Sequence, residues 1–440
     1  WLGGALLVVW GLSTAFSLSW MTSLVFSDAI SEKITMLILG ILLMTFLGSV
    51  FQSRKDAMTF LSVLVIAGGV GAALTFLQLF WGVSAWGWFA DFAKDRNFNV
   101  IGTLNGLTLF YSALLAVSIG MIVTLKLSEW KPWHRWALFL STVLYALDLL
   151  LINYRYSWVV LVGVSIVLFG FTFRGDQKSR SALQAAGEQK TRGLDWRYLF
   201  AIFLLVVSIF MFIAQPTVKK LDLPAEVSPA LKTTWSIGRS VLAEGPKSAL
   251  LGSGPGTFGF DWVKYKDVQV NQTVFWGVRF NQGFSWVSTL IPTVGILGAL
   301  IMVLFFAAAL FVFARSLMRE RGEGHLEWAA LGVGPLVGLV AILISAFLYP
   351  ANFSLILLLF ALAGVLSYIL SEKEAGVGVS QRGVKEMMMD FSERTAKFDS
   401  QWAVFISSLV VVFLLSLGIA GVYFELNRVR AAVAAQQGIT

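Results

Sequence analysis

Runs of about 18 to 25 apolar residues recur from one end of this chain to the other, and each is long enough to cross a bilayer as a helix. A membrane barrel would instead show alternating segments of about ten residues, which the sequence lacks. Of the 440 residues, 57% are hydrophobic and only 13% are charged, a balance foreign to soluble domains. The expected fold is all-α: a polytopic membrane protein with about eleven transmembrane helices and one long helical loop on the outer side. The spans fall near 3–27, 34–52, 57–80, 104–125, 136–153, 157–173, 198–215, 284–314, 328–348, 352–371 and 402–424.

Charge orients these spans. The connections at 53–56, 126–135, 174–197, 315–327 and 372–401 are basic and all fall on one side if the spans alternate. The positive-inside rule makes that side cytoplasmic. The net charge of +8 is then a property of those loops and is weak evidence for nucleic acid. The chain contains no cysteine, so disulfides and thiolate metal sites are excluded. Both histidines, His134 and His325, fall on the cytoplasmic side. Segment 174–197 reads as a flexible linker. Segment 81–103, with Trp81, Trp86 and Trp88, suits the headgroup layer. Trp1 stands where a start methionine is expected, which reads as a chain trimmed of an earlier segment.

The organisation expected is 1–215 as N-terminal membrane helices, 216–283 as a periplasmic loop carrying the active site, 284–424 as C-terminal membrane helices, and 425–440 as an extracytoplasmic tail. Segment 216–283 is basic on the side where insertion rules disfavour basic loops. Lys219, Lys220, Lys232, Lys247, Lys264 and Lys266 accompany Arg239 and Arg279 there, and Arg155 sits between two spans on the same side. A guanidinium at membrane depth either snorkels to the interface or serves a ligand, and its planar fork of donors grips phosphate oxygens in pairs. That pattern points to an anionic ligand such as a lipid pyrophosphate.

GPGTFG at 254–259 fits the dinucleotide fingerprint in letters only, since no strand–helix unit surrounds it. A tight turn is expected there, ending a helix that begins near Ser228 and runs to Leu250. Asp222, Glu226, Glu244, Asp261 and Asp267 have no spacing diagnostic of a metal site, so neither a metal nor another cofactor is expected. Pro292 and Gly295 break the span that follows the loop, a feature tolerated where it lines a cavity or packs on neighbours.

Taken in order, Arg155 between short-linked spans, Arg239, GPKSALLGSGPGTFGFDWVKY at 245–265 and FNQGFSWVSTLIPTVGILGAL at 280–300 resemble the O-antigen ligase and O-antigen polymerase superfamily of bacterial envelope glycosyltransferases. VIGTLNGLTLFYSALLAV at 100–117 is similar to an earlier motif of that family, and the likeness spans roughly residues 100–370. The resemblance implies a GT-C-like helical fold in the bacterial plasma membrane. It implies transfer of a glycan from undecaprenyl pyrophosphate to a lipid, glycan or protein acceptor at the outer face, without nucleotide or metal. By position Arg155 and Arg239 match the arginines that hold the pyrophosphate, and Asn281 matches the Asn of the family's His-Asn pair. The His position is Phe280, which cannot accept a proton. The catalytic set is therefore expected to be Arg279, Asn281 and Glu244, with Asp261 as a second candidate base. Two other readings stand beside this one. The first is a non-catalytic binder or assembly scaffold for lipid-linked glycans, which the departure at Phe280 favours. The second is a transporter, disfavoured because Asp148 is one of few acids inside a span and no internal repeat is visible.

Overall fold

The computed structural model describes residues 2–26, 30–82, 97–124, 130–185, 196–216, 226–323, 326–350 and 352–376, with a few isolated positions between them. Every regular element among these is helical. In chain order they are α1 (Leu2–Ala15), α2 (Ile34–Val50), α3 (Arg54–Trp81), α4 (Leu104–Thr124), α5 (Pro132–Ile152), α6 (Arg155–Ala185), α7 (Trp196–Ala214), α8 (Leu231–Leu242), α9 (Pro246–Leu251), α10 (Phe258–Tyr265), α11 (Trp286–Glu323), α12 (Leu326–Leu348) and α13 (Phe353–Gly376). Eight of them, α3 to α7 and α11 to α13, are long and apolar enough to cross a membrane, while α1 and α2 are shorter apolar helices of 14 and 17 residues. The architecture is that of a multi-pass membrane protein.

Local signals explain where these helices start and stop. Ser53 and Asp56 form a capping box at the start of α3, and Gly82 closes its far end in the left-handed region. Pro132 opens α5 at the position where a missing N–H costs nothing. Asn153, also left-handed, ends α5 and lets α6 begin two residues later at Arg155.

The core is centred on α4, whose span is nearly all buried, against α12, α5 and α6, while α13 packs on α12 and α2. Small residues let these backbones meet. A Cβ on Gly120 of α4 would lie 2.6 Å from the Cα of Gly334 in α12, and one on Gly338 would meet Val117 at 2.4 Å. Without a water-driven force between helices in lipid, such close van der Waals contact is a main source of association.

Several boundaries differ from the sequence expectation. The first span was expected over 3–27, but α1 ends at Ala15, because the backbone beyond it turns to bond the distant loop through Leu18 N–H and Ser253 O at 2.7 Å. The helix of α6 continues to Ala185, into the segment expected to be a flexible linker. The helix expected from Ser228 to Leu250 is two helices, α8 and α9, separated where Gly245 takes φ 154° ahead of Pro246. The eleventh span at 402–424, the tail, and Trp86 and Trp88 lie outside the described residues.

Candidate functional site

The segment between α7 and α11 folds into a small helical cap with its own core. On α8, Ile237 and Val241 turn inward to meet Phe258 and Trp262 of α10, and Tyr265, Val270 and Phe280 pack around them. The ring of Phe280 stands edge-on to Trp262 with centroids 4.8 Å apart, and Trp262 Nε1 donates to Val278 O at 3.0 Å. Phe280 is thus part of the cap's apolar core.

Contacts at one end of the bundle tie this cap to the membrane helices. Asn153 Nδ2 donates to Pro216 O at 3.0 Å, Trp286 N–H to Tyr349 O at 3.0 Å, and Gln282 Nε2 to Ser31 Oγ at 3.1 Å. The α1–α2, α5–α6 and α12–α13 connections therefore meet the cap at that end.

The glycine-rich turn after α9 is the firmest of these anchors. Gly252, Gly254 and Gly256 all take positive φ, at 70°, 121° and 71°. The turn lies against the point where α11 is interrupted at Gly295, itself at φ 71° and ψ 177°. Ser253 N–H donates to Pro292 O at 2.9 Å and Gly254 N–H to Thr293 O at 2.7 Å. Carbonyls that a helix break would leave unbonded are thereby satisfied by the cap. The Gly252 and Gly254 N–H groups are committed to protein acceptors, so this turn is a structural joint.

Segment 279–282 lies across α10 as a clip. The Arg279 guanidinium stacks over Phe260, 4.5 Å from its centroid. A Cβ at Gly259 would fall 2.5 Å from Asn281 Oδ1 and 2.8 Å from Arg279 Nε. The bare backbone of Gly259 is what lets these two predicted site residues lie side by side. Arg155, at the first position of α6, is exposed, with its guanidinium 4.5 Å from the Phe212 ring of α7. Arg239 is exposed in the last turn of α8. Arg155, Arg239 and Arg279 belong to the same end of the molecule, and among the described residues no contact joins any two of them. None of the three is ion-paired among the described residues, whereas Lys264 nearby is paired at 2.7 Å.

The acids fall into distinct environments. Glu244 accepts from Lys264 Nζ at 2.7 Å, from the Tyr265 hydroxyl, and from Ser248 Oγ at 3.3 Å. The Lys264 hydrogen bond, followed by that of Tyr265, holds its carboxyl below the usual range, which weakens it as a base. Glu244 also lies beyond the end of α8 and so off the helix that carries Arg239. Asp261 is buried on α10 and accepts from Ser253 Oγ at 2.6 Å, and that hydroxyl also pairs with Thr257 at 2.7 Å. Burial pushes Asp261 up to about 7 despite the Ser253 bond. Glu32, in the short turn before α2, is fully buried beneath Gln282 Nε2 at 3.4 Å, and burial pushes it up to about 8, with the nearby Asp261 charge adding to the shift.

Glu32 had no signal in the sequence: Ser-Glu-Lys between two spans reads as a solvated turn, and its burial depends on a glutamine 250 positions away. Glu226 was read only as a stray acid, yet it accepts a hydrogen bond from Tyr349 OH, which itself pairs with Thr103 Oγ1 at 2.6 Å. Among the described residues no group of three or more His, Cys, Asp or Glu side chains is arranged to hold a metal ion.

No protein-family model and no curated protein matches this sequence.

Proposed function

We propose that this protein is a membrane glycosyltransferase of the O-antigen ligase or polymerase type. In this reading it transfers a glycan from a polyprenyl-pyrophosphate carrier to a lipid, glycan or protein hydroxyl at the outer face of the bacterial plasma membrane. In this reading the chain crosses the membrane about eleven times, and the cap faces the exterior. The observation that carries the reading is the set of three exposed arginines that have no carboxylate partner among the described residues, at the end of the bundle where the cap sits. Such guanidiniums are available to an anionic ligand, and an Arg fork bonds phosphate oxygens in pairs.

The chemistry is one displacement. An acceptor hydroxyl attacks the anomeric carbon from the face opposite the pyrophosphate, the C–O bond to the carrier breaks, and configuration inverts. The leaving electron pair goes to a pyrophosphate oxygen, and preplaced positive charge there lowers the barrier. Arg155 and Arg239 hold the pyrophosphate, while Arg279, steadied on Phe260 beside Asn281, meets the charge that develops on it. Transfer of radiolabelled glycan from its carrier by purified protein in lipid tests this. Transfer that Arg239→Ala abolishes supports it, and a wild type that binds carrier but never turns over removes the enzymatic reading.

That second outcome would match a binder or assembly scaffold for lipid-linked glycans. The packing of Phe280 on Trp262, where a basic imidazole would be needed, is the observation that favours it.

A further inference from the structure

A glycosyl transfer of this kind needs a group to take the acceptor's proton, and Phe280 cannot. Six carboxylates are described at the cap end of the molecule, and their surroundings separate them. Glu32 and Asp261 are closed off from an incoming hydroxyl by burial. Glu244 is clamped by Lys264, Tyr265 and Ser248. Asp267 accepts from Gln269 N–H at 2.9 Å, and Asp95 from Asn97 N–H at 2.7 Å, each stabilising its own turn.

Glu226 differs from all of these. It is exposed and makes no ion pair among the described residues. Its Oε1 accepts from Tyr349 OH, and Tyr349 is fixed in turn by Thr103 Oγ1 at 2.6 Å. Burial keeps the Tyr349 hydroxyl protonated well beyond its ordinary range, so it stays available as a donor. Among the described residues no donor reaches the other carboxylate oxygen, Oε2. The ring of Tyr349 lies 6.0 Å from that of Tyr154, the residue before Arg155. Tyr156, on the other side of Arg155, lies 6.3 Å from Phe284. An oriented, accessible carboxylate therefore sits in the aromatic surround of an arginine assigned to the pyrophosphate.

We propose that Glu226 is the general base of this enzyme, with Tyr349 and Thr103 as its positioning residues. The proposal rests on the glycosyl-transfer reading above. In the step, the acceptor oxygen bonds to the anomeric carbon while its proton passes to Glu226 Oε2. The bond from that carbon to the carrier oxygen breaks, polyprenyl pyrophosphate departs with the electron pair, and Glu226 returns the proton to water. Thr103, Tyr349 and Glu226 come from three separate parts of the chain, so the arrangement exists only in the folded protein.

The test uses the full chain in proteoliposomes with undecaprenyl-pyrophosphate-linked N-acetylglucosamine as donor, a sugar hydroxyl of a second donor molecule serving as acceptor. It reads release of free undecaprenyl pyrophosphate and, separately, binding of undecaprenyl pyrophosphate. Glu226→Gln, which can still accept from Tyr349, is expected to lower kcat by about 10²–10⁴-fold while binding stays within threefold. Formate is expected to restore part of the activity of Glu226→Ala, a response that a structural role does not produce. Tyr349→Phe is expected to lower kcat with KM unchanged. Wild-type turnover that Glu226→Gln leaves within threefold overturns the assignment and leaves the glycosyl-transfer reading intact. A wild type that neither binds the carrier nor turns over overturns both.

Discussion

Gly254 donates its backbone N–H to the carbonyl of Thr293 at 2.7 Å, which bonds a turn of the polar cap directly into the break of a membrane helix. The two sides of this joint were shaped for each other. A Cβ on Gly252 would lie 2.5 Å from Pro292 O, and one on Gly295 would lie 2.2 Å from Leu250 O. Gly295→Ala is therefore expected to destabilise the protein by about 1–3 kcal/mol from its φ 71°, ψ 177° backbone alone, a conformation essentially restricted to glycine, with the clash adding to that. Thermal unfolding in detergent checks this, and a melting temperature equal to wild type would show that the joint is not under the constraint described.

Gly259 supports a separate prediction, because it shapes the site more than the fold. Its missing Cβ makes room for Asn281 Oδ1 and the Arg279 guanidinium. Gly259→Ala is expected to displace both and to weaken binding of undecaprenyl pyrophosphate about tenfold, with a melting temperature near that of wild type. Equilibrium binding on the variant in nanodiscs measures it. Unchanged affinity would mean that Arg279 and Asn281 do not meet the ligand.

How much of this was legible beforehand depends on how far apart the interacting residues lie. Most of the spans could be read because an apolar run declares itself locally, and so could the break at Pro292 and Gly295. The split between α8 and α9 was also visible in principle, since Gly245–Pro246 is a local stop-and-start signal that the expected single helix overrode. The early end of α1 was not, because a bond to Ser253 takes the chain out of the helix. Arg279 and Asn281 both lie against the bare backbone of Gly259, whose close approach no local pattern announces. The burial of Glu32 under Gln282 and the orientation of Glu226 by Tyr349 both arise from residues more than a hundred positions away, which no local pattern encodes.

The buried acids give stability a definite pH dependence. Asp261 is raised from 3.8 to about 7 and Glu32 from 4.5 to about 8, so the folded state holds their protons more tightly than the unfolded chain does. Their contribution is fully present below about pH 4 and is lost as pH rises through about 7 to 8. Glu244 works in the opposite sense, since its lowered pKa favours the fold above the ordinary carboxylate range, but its carboxylate is 28% exposed and the effect is correspondingly weak. The melting temperature in detergent is expected to fall between pH 5 and pH 8, and Asp261→Asn should flatten that fall. A stability that rises over this interval would contradict the burial of the two carboxyls.

Glu244 offers a control on the choice of base. Its ion pair with Lys264 is exposed on the lysine side and screened by solvent, so it adds little to stability. Glu244→Gln is expected to leave glycan transfer within threefold of wild type and the melting temperature almost unchanged. A loss of transfer beyond a hundredfold, with carrier binding retained, would move the base from Glu226 to Glu244.

The central claim is that Arg155, Arg239 and Arg279 hold a lipid pyrophosphate, and the most direct measurement of it is the affinity of the purified protein in nanodiscs for undecaprenyl pyrophosphate. The account predicts saturable binding that weakens as salt rises, at least a tenfold loss for each single Arg→Gln variant, and no detectable binding when all three are replaced. Wild-type affinity in the triple variant, or equal affinity for undecaprenol lacking phosphate, would contradict it.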